Sequence, residues 1–192
     1  MSTLTQPAGA SLSSDELSEA TRYLTSSREA LVDQLTGLSD AQWNFSPGPD
    51  RWSIAENVEH LAIIEARIHD RIAELPTGPA ARPDRLNSQI EQTILSQVPK
   101  RAARFQAPAP LCPSGQWPPE EALIRFLSLR DRTLELLTQA PCLRGHLFTH
   151  PALGDLDGYQ WMLALAAHTM RHTNQIVEIK SSPGFPATTS AN

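Results

Sequence analysis

The sequence predicts an all-α protein, an up-down four-helix bundle, on three observations. Four long segments repeat apolar residues at helical spacing, and no segment alternates convincingly as a strand. A proline-rich stretch interrupts the pattern after the second helix and suits an insertion. The 192 residues are enough for one domain with an unaided core.

The first helix is expected over 14–36, where Leu17, Leu24, Leu31 and Leu35 recur at sevens and fours before Gly37 stops it. The linker LSDAQWNFSPGPDRW holds two prolines, a glycine and two tryptophans and reads as an ordered crossing. The second helix opens at Ser53 with a capping box to Glu56. Its stripe of Ile54, Val58, Leu61, Ile64, Ile68, Ile72 and Leu75 ends at Pro76.

Residues 76–118 form the insertion, with a short helix expected near 86–98 around Ile90, Ile94 and Val98. The rest, APAPLCPSGQWPP, can be neither regular helix nor central strand. The third long helix follows Pro119, with Glu120 and Glu121 at its positive end. Leu123, Phe126, Leu127, Leu134 and Leu137 mark its buried face. The fourth runs from near Asp157 to Ile179, giving a folded domain over 13–180. The flanks, 1–12 and 181–192, are rich in Ser, Thr, Ala, Pro and Gly and are expected to be disordered tails.

Composition narrows the function. A net charge of −5 is spread along the chain with no basic stripe, which argues against nucleic acid as a partner. No apolar run approaches the ~20 residues that span a bilayer, so no membrane is expected. The first residues lack the basic and apolar regions of a secretory signal, so a cytoplasmic location is the expectation. Cys112 and Cys142 match no metal-ligand spacing and read as incidental thiols.

The chemistry lies in the histidines. On the fourth helix Trp161, Leu165, His168, His172, Gln175 and Ile179 follow one another at 4, 3, 4, 3 and 4, a seam that faces a bundle core. Residues four apart sit one turn apart on one face, so His168 and His172 can chelate one ion. The plain alternative is a pair of neutral core histidines, each needing a hydrogen-bond partner once buried. No glutamate follows the first histidine, which excludes the HExxH metalloprotease arrangement.

An ion needs a third ligand, and periodicity leaves His60 and His69 open, one at each edge of the second helix's stripe. Asn57, a polar residue within that stripe one turn before His60, favours His60. Asn57 and Gln175 are candidates to orient imidazoles or a bound water, against ordinary polar burial. His146 and His150 fall in the expected loop before the last helix, where solvated histidine is ordinary and His150 is a candidate for a pocket mouth. Glu56 is better explained by its cap than as a general base.

Two stretches together, RWSIAENVEHL at 51–61 and HPALGDLDGYQWMLALAAHTMRHTNQI at 150–176, resemble the DinB/YfiT-like superfamily of bacterial four-helix proteins. The resemblance covers about residues 14–180. It implies a DinB/YfiT-type bundle with a variable insertion after its second helix, and a three-histidine site for a divalent metal ion. Carried over residue by residue, the ligands are His60, His168 and His172. The metal in such proteins is nickel, zinc, iron or manganese. Relatives include S-transferases and isomerases that use low-molecular-weight thiols.

Three neutral imidazoles leave open positions on an ion, as catalytic sites do. Such an ion lowers the pKa of a water or thiol bound to it. The expected function is therefore a metal-dependent hydrolase or low-molecular-weight-thiol S-transferase acting on a small molecule. The alternative is a non-enzymatic stress or structural protein whose ion staples the second helix to the fourth. Bundle faces also allow a homodimer, of which the sequence carries no direct sign.

Overall fold

The computed structural model describes residues 11–80, 88–101, 106–139 and 143–187. Four long helices carry the fold: α1 (Ser14–Leu35), α3 (Ile54–Glu74), α5 (Pro119–Gln139) and α6 (Gly158–Lys180). Two shorter helices, α2 (Asp40–Trp43) and α4 (Ser88–Gln97), lie in the connections. The short helix expected near 86–98 is α4, with 86 and 87 outside the described residues.

Local chemistry sets the helix starts. Ser13, Ser39, Ser53 and Asp157 each accept the amide three residues on, and Glu16, Gln42, Glu56 and Gln160 reciprocate to the cap amide. Each box satisfies two of the amides a helix start leaves unpaired. The α2 turn was not foreseen within the linker. It buries Trp43 against the core around Leu31, Ile54 and Phe126.

The all-α four-helix bundle is thus what the chain forms, but its helix directions depart from simple alternation. The Tyr159 hydroxyl donates to Glu19 near the starts of α6 and α1, and the Lys180 ammonium donates to the Gln34 carbonyl near their ends. These two helices are therefore parallel. Glu65 meets Arg130 and, one turn on, His69 meets Thr133, so α3 and α5 are parallel as well. Asn57 meets His172 while Leu75 packs on Gly158, which makes α3 and α6 antiparallel. The order is up, down, down, up. The insertion causes this, because it returns along the bundle and delivers residues 114–116 beside Glu59, near the start of α3.

A small hairpin corrects the expectation of no strands. β1 (Leu147–His150) and β2 (Gly154–Asp157) pair antiparallel, from Leu147 opposite Asp157 to His150 opposite Gly154. LFTH sets two apolar residues side by side and GDLD holds only one large apolar residue, so neither strand displays a clear alternation in sequence. Their support is tertiary: the Trp161 indole donates to the Phe148 carbonyl and stacks on the Phe148 ring at 4.5 Å.

Residues 181–187 do not fray as the expected C-terminal tail would. Phe185 meets Phe45 edge-on at 5.5 Å, and the Gln42 amide donates to the Pro186 carbonyl. Cys112 is a half-buried free thiol, and Cys142 lies outside the described residues. No helix among the described residues is long and apolar enough to cross a membrane.

The middle of the bundle is polar. Arg130 of α5, fully buried, donates to both Glu65 oxygens on α3 at 2.7 and 2.9 Å. It also donates to the Leu24 carbonyl and Ser27 hydroxyl on α1 and to the Thr169 hydroxyl on α6. One guanidinium thereby joins all four long helices. A buried charge so paired and hydrogen-bonded is tolerated where an isolated one is not.

Candidate metal centre

α6 is the bundle's most enclosed helix, packed by α1, α3 and α4, and all of its first ten residues are buried. His172 is buried and His168 partly exposed, on the seam expected from their spacing. α3 brings the third imidazole. His60 is 3% exposed, and its Nε2 lies 3.1 Å from the His168 Nε2. The ligand-capable atoms of His60, His168 and His172 all fall within 4.8 Å of one another.

Hydrogen bonds at the far side of two rings settle which nitrogen faces the centre. His60 Nδ1 lies 2.7 Å from the Leu111 carbonyl, which can only accept, so Nδ1 carries the proton. His172 Nδ1 lies 2.7 Å from the Asn57 Oδ1. The Asn57 amide nitrogen donates to the Ser53 carbonyl at 2.7 Å, which fixes the oxygen toward His172 and makes Nδ1 the donor again. Both neutral rings therefore turn an unprotonated Nε2 inward, the outer contact that orients metal-ligating histidines.

The charged forms of these rings are disfavoured. Burial pushes the pKa values of His168 and His172 well below the usual 6.5, and the neighbouring histidines add to the effect. Burial also lowers His60, against the opposing pull of the Leu111 carbonyl. The donor set therefore fits a cation. Two imidazole nitrogens bonded at about 2.1 Å to one ion stand roughly 3 to 3.5 Å apart, and the His60–His168 pair already does.

Trp52, just before the α3 cap, closes one side. Its ring stacks on His172 at 6.0 Å and tilts over His60 at 4.8 Å. Sequence reasoning passed over this tryptophan, although it sits inside RWSIAENVEHL. The Leu111 carbonyl was equally hidden, because a backbone oxygen in a proline-rich insertion carries no side-chain signal.

The remaining candidates separate. His69 is absent from the centre: its Nε2 contacts the Thr133 hydroxyl at 2.8 Å, toward α5. The Gln175 oxygen accepts from the Arg101 guanidinium at 2.6 Å, and among the described residues no hydrogen bond joins it to an imidazole. His150 ends β1, where its Nδ1 accepts the Ala152 and Leu153 amides and its ring lies 4.9 Å from that of Trp161. Those two amides leave the proton of neutral His150 on Nε2. His146 is held by the Gly78 carbonyl at 2.9 Å rather than left to solvent. Glu56 keeps its capping role at 2.7 Å from the Ser53 amide.

The chain and its fold have relatives among known proteins. The chain matches the DinB superfamily over residues 23–176. It is 29% identical over 156 residues to the uncharacterized protein YuaE of Bacillus subtilis (strain 168), covering 77% of this chain and 88% of that protein. It also superimposes on YfiT from Bacillus subtilis with a TM-score of 0.61 and 17% identity, over 95% of each chain. That protein is described as "a probable metal-dependent hydrolase with an unusual four-helix bundle topology". At this identity the likeness shows a shared fold.

Proposed function

The chain belongs to the DinB superfamily, and we propose that it is a metal-dependent enzyme in which His60, His168 and His172 hold one divalent ion. The single observation that carries this is the pair of fixed tautomers, His60 on Leu111 and His172 on Asn57, which turn bare nitrogens toward one point. The description of YfiT as "a probable metal-dependent hydrolase" supports the same class. Imidazole suits nickel, zinc and iron, while manganese, which prefers oxygen ligands, is the weakest binder of the four candidates.

When bound, such an ion supplies Lewis acidity that lowers the pKa of a water or thiol bound to it. The reaction we assign is hydrolysis of a small molecule, or transfer of a low-molecular-weight thiol to one, in the cytoplasm. Neither nucleic acid nor a membrane is a partner in this reading, and a homodimer is compatible with it. The chain's own groups do the positioning. Leu111 and Asn57 hold two rings, Trp52 shields them from water on one side, and His150 offers an Nε2–H from the hairpin.

The alternative is a non-enzymatic protein whose ion staples α3 to α6, and the division of the three histidines between those helices favours it. Against it stands Arg130, which already joins all four long helices without an ion. The test is turnover: metal-loaded protein is assayed for ester or amide hydrolysis and for transfer of a small thiol to an electrophile. Activity above a His172→Ala control is the expected result. Equal rates in both proteins, across metals and thiols, would leave the stapling role.

A further inference from the structure

Next to His60 on α3 stands an acid that the capping and ion-pair patterns leave unexplained. Glu59 is only 2% exposed. The α3 cap is already served by Glu56, and among the described residues no lysine or arginine pairs with Glu59. Its carboxylate instead accepts three consecutive backbone amides from the insertion: Ser114 at 3.0 Å, Gly115 at 2.9 Å and Gln116 at 3.2 Å. Successive amides that converge in this way form a nest for an anion. Gly115, at φ +71, supplies the left-handed residue that the turn requires.

The same segment carries the carbonyl that orients His60. Residues 109–111 form a 3-10 turn, and only Cys112 and Pro113 separate Leu111 from the clamped amides. Proline fixes its own φ, so little slack remains between the two contacts. Two adjacent α3 side chains thus hold one short stretch of insertion, the Glu59 carboxylate at 114–116 and the His60 ring at 111. Residues 114–116 belong to no helix or strand, and Leu111 only ends the short 3-10 turn, which is too small to place it independently.

We infer that Glu59 is a positioning residue for the histidine centre, holding the insertion so that the Leu111 carbonyl keeps the His60 proton on Nδ1 and its Nε2 bare. The inference rests on the reading of His60 as a metal ligand. It extends that reading to the insertion, which becomes part of the centre rather than a decoration between helices. Groups that orient a ligating histidine typically govern metal affinity by 10- to 100-fold. Glu59 acts one step further out, through Leu111.

The test is Glu59→Gln, which keeps the shape and removes the charge and one acceptor. In metal-free, 15N-histidine-labelled protein, long-range proton–nitrogen spectra report the His60 tautomer. The wild type is expected to show Nδ1–H, and the variant a shift toward Nε2–H. Competition with a chelating dye for Zn2+ should show binding weakened about tenfold, with helical circular dichroism retained. An unchanged tautomer and unchanged affinity in folded Glu59→Gln would overturn the inference.

Should that variant fail to fold, Gly115→Ala takes its place. No atom lies within 4 Å of the added Cβ, so it strains the nest without a clash and leaves α3 untouched. The same tautomer shift is expected, and its absence there has the same overturning force. If wild-type protein holds no Zn2+ at all, the metal reading fails. The tautomer comparison, made without metal, still decides the role of Glu59.

Discussion

The Asn57 side-chain oxygen accepts a 2.7 Å hydrogen bond from His172, which lies 115 positions away in the chain. Asn57 is fully buried, and its own amide is committed to the Ser53 carbonyl one turn back. The contact therefore cannot be replaced by rotating the amide. It fixes both the ring and the tautomer of the deeper α6 histidine.

Asn57→Ala is accordingly expected to weaken Zn2+ binding by 10- to 100-fold. It also strands the His172 N–H, at a cost of about 1–3 kcal/mol in the metal-free fold. Dye competition and denaturant unfolding measure the two effects separately. Affinity within twofold of wild type would show that Asn57 does not orient the ring.

Arg130 and Glu65 should be far more sensitive to single than to double replacement. Removing one partner of a buried pair leaves the other charge uncompensated, at about 3–5 kcal/mol, whereas apolar replacement of both is often near neutral. Arg130→Met is expected to lose that much stability by urea unfolding. Adding Glu65→Leu to it should recover most of the loss. A double variant as unstable as the sum of the singles would show that the bonds to Leu24, Ser27 and Thr169 matter more than the ion pair.

An ion that binds only the folded state stabilises it by mass action, about 2.7 kcal/mol at a hundredfold excess over Kd. For a chain of this size that corresponds to roughly 5–10 °C in Tm. Differential scanning fluorimetry with Zn2+ or Ni2+ should show this rise in wild type and lose it in His168→Ala. A rise that survives His168→Ala would place the ion elsewhere.

At the opposite end of the bundle Arg144 meets Glu16, Glu91 and Asp157. Burial pushes the Glu16 carboxyl up, but the Ser13 amide and the Arg144 guanidinium outweigh it and hold it below the usual 4.5. A lowered native value means that Glu16 stabilises the fold above the unfolded pKa. That stabilisation is lost as the pH falls through the lowered native one. Burial pushes Asp157 up despite Arg144, so it works in the opposite sense, and the informative comparison is wild type against Glu16→Gln. Their difference in Tm should be full at about pH 6 and shrink below about pH 4. A gap that stays constant with pH would refute the assignment.

Much of this molecule could be read locally. The cap at Ser53, the stripe of α3 and the His168–His172 seam each depend on residues a turn or two apart, and spacing reports such contacts directly. A second pair of seams is also written locally. Leu61, Glu65, Ile68 and Ile72 on α3, and Phe126, Arg130, Thr133 and Leu137 on α5, repeat at 4, 3 and 4. A charge in the middle of each seam announces a buried pair.

What the sequence by itself determined was the helices, their ends and two histidines turned inward, because these follow from short-range hydrogen bonds and periodicity. Tertiary structure decided the rest. It set α5 parallel to α3, since only the path of the insertion dictates direction. It paired Arg130 with Glu65 and left His69 on Thr133. It also laid the Leu111 carbonyl on His60, a contact between a backbone oxygen and a ring 51 residues away. No local pattern encodes such a contact, because its partners become neighbours only after the bundle has closed.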